Sequence, residues 1–262
     1  MKKTFFVAFM AVFLLYAGIS RARADATSTV GVQISPDEAA CGITAADLSS
    51  IKAIQNNASL GYSAELQQEL AARKNLLKKT IACAEADAKQ DQETLGNTPI
   101  DPSFQELENQ WSDRLKSAVS YYDLQSQKID GAGISGTESI AKEILNWRQN
   151  NYTPLAEDIA NFITWSDNQA LFTKAASRLS QVNNLVSSPL FSENPDLQND
   201  YEQAAVSLKA AQDENAEAKN ALSQSLAPDQ SLLVIKQSLD SLSAAYQHFF
   251  DISNLVQSLL PH

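Results

Sequence analysis

The sequence predicts an all-α protein built as an elongated antiparallel helical bundle or an array of helical hairpins. Three observations carry that prediction. The eight glycines and eight prolines of the 262-residue chain gather in short clusters, and no glycine follows Gly136. Between the clusters run long stretches rich in Ala, Leu, Gln, Glu, Ser and Lys, a composition that favours helix. Within those stretches apolar side chains recur every three or four positions, the spacing of one helix face.

Residues 1–24 hold Lys2 and Lys3, an apolar run from Phe5 to Ile19, and Ala22-Arg23-Ala24, the small-x-small pattern of a signal-peptidase site. Cleavage before Asp25 is expected. A retained anchor is the competing reading, disfavoured because about 15 apolar residues fall short of the roughly 20 that span a bilayer. No later stretch is apolar enough for a stable membrane span. The mature chain is therefore expected outside the cytoplasm, whether periplasmic, secreted or associated with the cell surface.

Ser35-Pro36-Asp37-Glu38 combines a capping serine, a first-turn proline and a glutamate at the third helical position. The short helix it starts can end at Gly42, which places Cys41 near its end. Thr44 offers the next cap, with Leu48, Ile51 and Ile54 on one face as far as Asn56-Asn57. Beyond Gly61 a long helix is predicted over 63–95, carrying Leu66, Leu70, Leu77 and Ile81 on one stripe and Cys83 away from it, on the side of Leu76. Asp101-Pro102 opens a helix to about residue 130 in which Phe104, Trp111, Leu115, Ala118, Tyr122 and Ile129 follow a 3.5-residue, coiled-coil-like repeat. Gly131-Ala132-Gly133 ends it.

Thr137 begins a further stretch through Ile140, Ile144 and Trp147. Thr153-Pro154 restarts or kinks the helix that runs on through Leu155, Ile159, Phe162, Val182 and Val186 to a stop at Ser187-Ser188-Pro189. Asn194-Pro195 caps a helix to about residue 226 whose Leu197, Tyr201, Ala204, Leu208, Ala211, Ala218 and Leu222 predict close packing. The last helix, over 229–260, repeats Leu232, Leu239, Leu242, Tyr246, Phe249, Val256 and Leu260. Helices near 30 residues make rods of roughly 45 Å, and short connections imply antiparallel neighbours. Beyond the shared period no internal repeat is evident. The glycines of 131–136 offer a domain break between an N-terminal helical region, 25–130, and a C-terminal bundle region, 131–262, unless one long bundle contains both.

Cys41 and Cys83 are the two cysteines. An oxidising compartment makes an even pair a disulfide, with two solitary thiols as the alternative. Closing a loop of about 42 residues stabilises by roughly 4 kcal/mol on the chain-entropy model. The spacing is not that of a CxxC redox motif, so the bridge is structural and ties the N-terminal segment to the flank of the long helix. Loss of the leader removes Lys2, Lys3, Arg21 and Arg23, so the formal net charge of −11 becomes −15. Such a chain repels nucleic acid and anionic membrane surfaces, and the acidity reads as a solvated surface.

Catalytic signatures are missing from the sequence. Histidine occurs at 248 and 262 alone, His248 beside Phe249 and Phe250, and no GxSxG elbow accompanies a serine. Glu85, Asp87, Asp91 and Glu93 form the densest acidic run, yet their spacing fits neither a calcium loop nor a di-iron bundle, so they read as a solvated helix face. Gly131-x-Gly133-x-x-Gly136 matches a dinucleotide fingerprint only as a string, because it follows a helix rather than a strand. No cofactor or metal site is indicated. Trp111, Tyr121, Tyr122, Trp147, Tyr152, Phe162 and Trp165 gather in the middle third. They read as core first, and as a partner or ligand groove lined by Trp111, Tyr122, Trp147, Tyr152 and Trp165 second. Asn57-Ala58-Ser59 and Asn151-Tyr152-Thr153 are glycosylation strings, discounted because the leader looks bacterial.

The stretch SIAKEILNWRQNNYTPLAEDIANFITWSDNQALFTKAASRLSQV, residues 139–182, resembles exported helical, coiled-coil-like bacterial proteins of uncharacterised function. Trp147-Arg148, Tyr152, Pro154, Ile159 with Phe162, and Ser177-Arg178-Leu179 carry the likeness, over about a sixth of the chain. The resemblance implies a helical exported protein and brings no activity. The function expected is that of a non-enzymatic structural or protein-interaction bundle with a protein partner or self-association, the alternative being a small-molecule or metal-binding bundle centred on the aromatic third.

Overall fold

The computed structural model describes residues 43–57 and 61–259. The fold is all-α, and no strand occurs among the described residues. Among the described residues seven α-helices follow in order: α1 Ala45–Gln55, α2 Tyr62–Asn97, α3 Gln105–Ile129, α4 Ile134–Trp147, α5 Thr153–Val186, α6 Pro195–Ser223 and α7 Pro228–Leu259. The short helix expected around Cys41, the leader and His262 lie outside the described residues.

Local chemistry sets several helix starts. Thr44 and Asp47 form a reciprocal capping box on α1: the Asp47 N–H donates to the Thr44 hydroxyl at 3.2 Å, and the Thr44 N–H donates to Asp47 Oδ2 at 2.8 Å. Asp101 accepts from the Ser103 N–H at 2.9 Å and opens a single 3₁₀ turn, Pro102–Phe104, ahead of α3. The Asn194 side chain accepts from the N–H groups of Asp196 and Leu197, with Pro195 in the first turn of α6.

Three boundaries need a physical account, and the first two differ from the expected ones. Helix α4 starts at Ile134, three residues before Thr137, because the Thr137 hydroxyl turns back to donate to the Ile134 carbonyl at 2.7 Å instead of capping. Helix α6 ends at Ser223, short of residue 226. Ser225 adopts the left-handed region at φ 50°, its N–H bonds the Leu222 carbonyl, and the Leu226 N–H reaches back to the Ala221 carbonyl. Those two bonds make a Schellman terminator with serine where glycine is usual. Third, α4 and α5 join without a break through a π-type turn, Arg148–Tyr152. Pro154 has no N–H and its ring crowds the carbonyl four residues back, so the chain widens ahead of it, and the Thr153 N–H bonds the Arg148 carbonyl five residues back. Side chains add bonds to carbonyls just before the turn, with Asn150 donating to Asn146 O at 2.7 Å and Asn151 to Trp147 O at 3.0 Å.

The chain forms two compact units. One holds the residues up to Glu93 together with Ser112–Thr153, the other Thr94–Trp111 together with the residues from Pro154 onward. Gly131 and Gly133 lie inside the first unit in the turn between α3 and α4, and Gly136 lies in the first turn of α4. In that unit α2 buries Leu76, Leu77, Ile81 and Ala84, α3 buries Leu115, Ala118 and Ile129, and α4 buries Ile140 and Ile144. Ionic ties join its helices: Lys79 bonds both carboxylate oxygens of Asp47, and Lys74 and Lys78 reach the Asp130 carbonyl and carboxylate, each at 2.7 Å.

In the second unit Phe172 and Ala175 of α5, Ala204, Leu208 and Ala211 of α6, and Leu242, Ala245 and Phe249 of α7 form one apolar cluster. A second cluster, Val186, Phe191, Leu197 and Ile252, closes the end near the α5–α6 turn. Ala204, Ala211, Ala218 and Ala221 of α6 are buried, in line with the close approach its composition predicts.

Candidate functional site

The five aromatics expected to line one groove divide between the units. Trp111 and Trp165 belong to the second. There Trp111 packs on Phe162 at 5.4 Å, and Phe104 lies 5.1 Å from both Phe162 and Trp165. All four are nearly or fully buried, and the Trp165 indole N–H donates to the Asn215 carbonyl at 3.4 Å. Lys219 sits 5.9 Å from the Phe104 ring centre and bonds Asp101 at 2.8 Å. These side chains build a core.

Tyr122, Trp147 and Tyr152 meet in the first unit, where the chemistry is more varied. The Trp147 indole stacks on Tyr121 at 4.0 Å and 15°, meets Tyr122 edge-on at 5.5 Å, and Tyr122 meets Tyr152 at 6.2 Å. Arg148, from the π turn, runs between them. Its Nη1 donates to the Tyr122 hydroxyl at 3.1 Å, its Nη2 to Asp87 Oδ2 at 3.0 Å, and its guanidinium carbon stands 4.6 Å over the Tyr152 ring. The Tyr152 hydroxyl donates to Asp91 Oδ2 at 2.9 Å.

Helix period explains how so many groups converge. Asp87 and Asp91 are four apart on α2 and share one face, and Arg148 and Tyr152 are four apart across the wide turn and meet that face in order. Burial and charge then perturb the phenols. Burial pushes Tyr122 up to about 12 against the opposing pull of Arg148. Burial, with Asp91 and Asp87 adding to it, drives Tyr152 higher still. Both are neutral phenols at neutral pH.

Asp87 and Asp91 correct the reading of the 85–93 run as a solvated face. The Asp87 side chain is 31% exposed and is turned to a cation 61 residues away. The sequence signals that could have found the site are the two i, i+4 pairs, Asp87/Asp91 and Arg148/Tyr152. A second buried guanidinium, Arg73, is 2% exposed and bonds Glu69 of its own helix, which also accepts from Gln55 at 2.9 Å. Gln125 of α3 occupies a core position between Tyr122 and Ile129, 4% exposed, and its Oε1 has no hydrogen-bond partner.

Cys83 is buried on α2, and Cys41 lies outside the described residues. Among the described residues no three His, Cys, Asp or Glu side chains converge in a way that holds a metal ion, and no helix is long and apolar enough to cross a membrane. His248 lies on α7 with Nδ1 3.4 Å from Asp200 Oδ1 of α6. No family model matches the sequence, and neither the curated proteins nor the solved structures include a significant match to it.

Proposed function

We propose that the mature chain is a non-enzymatic extracytoplasmic protein of structural or interaction type, working through its helix surfaces with a protein partner or with further copies of itself. One observation carries the reading. The conspicuous polar cluster of the first unit spends its groups internally: the Arg148 donors end on Tyr122 and Asp87, and the Tyr152 hydroxyl ends on Asp91. A catalytic or ligand-binding centre needs convergent polar groups left over for a substrate, and this cluster joins its own helices instead. The signal segment, export and the Cys41–Cys83 bridge belong to the same proposal, and no free cysteine occurs among the described residues.

The test is the absolute mass of residues 25–262 by light scattering under oxidising conditions, paired with a surface-wide substitution scan for loss of assembly or partner capture. Assembly, with sensitive positions spread along helix faces, supports the reading. Sensitive positions confined to the Arg148 cluster at unchanged stability would sink it. For the bridge, thiol titration of the denatured chain before and after reduction is expected to read none and then two.

A second reading, small-molecule binding at the Tyr121, Tyr122 and Trp147 group, is favoured by the buried Gln125 Oε1 that lacks a partner. Thermal-shift screening with Trp147 fluorescence as a reporter tests it, and a broad metabolite panel without a shift removes it.

A further inference from the structure

Three buried side-chain atoms of the described residues lack a hydrogen-bond partner, and two of them, Glu214 Oε2 and His248 Nδ1, belong to α6 and α7 of the second unit. These helices are joined by a short turn and pack along their length, so they run antiparallel. On α6 the core positions include Tyr201, Ala204, Leu208 and Ala211, and Asp200 directly precedes the first of them. Glu214 lies two heptads beyond Asp200, on the same flank. On α7 His248 directly precedes the core residue Phe249 and so takes the equivalent flanking position. In an antiparallel pair, like flanking positions border one seam.

Across that seam His248 Nδ1 and Asp200 Oδ1 are 3.4 Å apart, yet Nδ1 makes no hydrogen bond. The two side chains are 27% and 20% exposed, so water screens the contact only in part. A carboxylate is an acceptor only, and a neutral imidazole brings it no charge. An imidazolium brings both a charge and a donor at Nδ1. Other charged and titratable groups, Tyr246 of α7 among them, lie near the contact in the chain. On α6 these are Asp196, Tyr201 and Glu202, within four residues of Asp200. On α7 Asp251 accepts from Gln247 at 3.1 Å. On α5 Arg178 stands 5.8 Å from the Tyr246 ring.

We propose that His248 and Asp200 form an acid-closed clasp between α6 and α7: proton uptake by the imidazole turns an unmade contact into a charge-assisted hydrogen bond across the seam. Histidine is the side chain whose charge ordinarily changes between about pH 5 and 8. Mild acid therefore tightens the first half of α6 against the second half of α7. Most carboxylate pairs respond in the opposite sense, since acid neutralises them.

The test is thermal unfolding of the mature chain at pH 7.5 and 5.5 in low salt, for the wild type, His248→Gln, Asp200→Asn and the double variant. The Tm advantage of wild type over His248→Gln is expected to grow by about 1–3 °C on acidification, and to lose that growth in the Asp200→Asn background. A pH-independent difference, or growth undiminished in that background, overturns the clasp. Amide exchange of the wild type serves where a variant does not fold. Protection factors in residues 196–206 and 244–255 are expected to rise by two- to fivefold between pH 7.5 and 5.5, and unchanged factors overturn it equally.

Discussion

Replacing Arg148 by Met removes a cation that is 8% exposed while keeping most of its apolar stem. Three losses follow from the geometry. The charge-assisted bond to Asp87 is worth about 1.5 kcal/mol, the low end of its range because Asp87 is 31% exposed and rehydrates. The Tyr122 hydroxyl, on a residue with 0% exposure, loses the Nη1 donor at 3.1 Å, which costs about 1–2 kcal/mol. The contact over Tyr152 at 4.6 Å adds about 1 kcal/mol. The sum, about 4 kcal/mol, falls in the range for breaking a buried ion pair and is a large share of the 5–15 kcal/mol that holds a typical domain. Urea and thermal unfolding followed by circular dichroism should show it, with Tm down by roughly 10 °C. Arg148→Lys keeps the charge without the fork and should recover less than half. A cycle with Asp87→Asn isolates the pair, with a coupling of about 1–2 kcal/mol expected. A Met variant within 1 kcal/mol of wild type, or no coupling to Asp87, would refute the claim that this cluster holds its unit together.

Ser225→Gly relieves the left-handed residue of the α6 terminator and should stabilise by about 0.5–1 kcal/mol, raising Tm by a few degrees; no change or a loss in calorimetry would count against the terminator. The Lys219 bond, joined by those of Ser103, holds the Asp101 carboxyl well below its usual range, so its contribution is present above about pH 4 and lost as pH falls further. Both partners are more than a third exposed, which limits the effect to about 0.5 kcal/mol, and Lys219→Met should flatten acid unfolding curves by that amount. Tyr122 and Tyr152 are raised by burial, so their contribution is complete below about pH 10 and lost as pH climbs above it. Ultraviolet titration of the folded chain should show a late-ionising group of phenols, and Tyr122→Phe or Tyr152→Phe should each reduce it by one.

Much of the helix layout is legible in short segments. Thr44, Asp101-Pro102 and Asn194-Pro195 mark starts because a cap satisfies N–H groups two or three residues away, and that bond requires nothing from the rest of the fold. The apolar repeat of α3 names residues that are indeed buried, from Phe104 to Ile129, since an amphipathic stripe has one stable direction to face. The same logic failed at Thr137, where a serviceable cap residue bonds backwards, and at Ser225, where serine takes a conformation that sequence patterns reserve for glycine. Ile235, Ala245 and Ile252 complete the buried face of α7, and Ser231 and Ser238 share it, so reading leucines and aromatics alone understated that core.

The candidate site was beyond such reading for a physical reason. A helix period states which side chains share a face, but it does not state which face meets it. Asp87 and Arg148 are 61 positions apart, and their pairing depends on the rotation of α2 and on the extra residue that Pro154 forces into the turn before it. The middle-third aromatics form a single cluster along the chain and two clusters in space, because Trp111 and Trp165 pack with one unit and Trp147 with the other. Composition, caps and periodicity determined that this protein is helical and where several of its helices begin. Tertiary packing alone decided which polar groups are buried together, since the energy of a buried charge belongs to its partner across the fold and not to its neighbours in sequence.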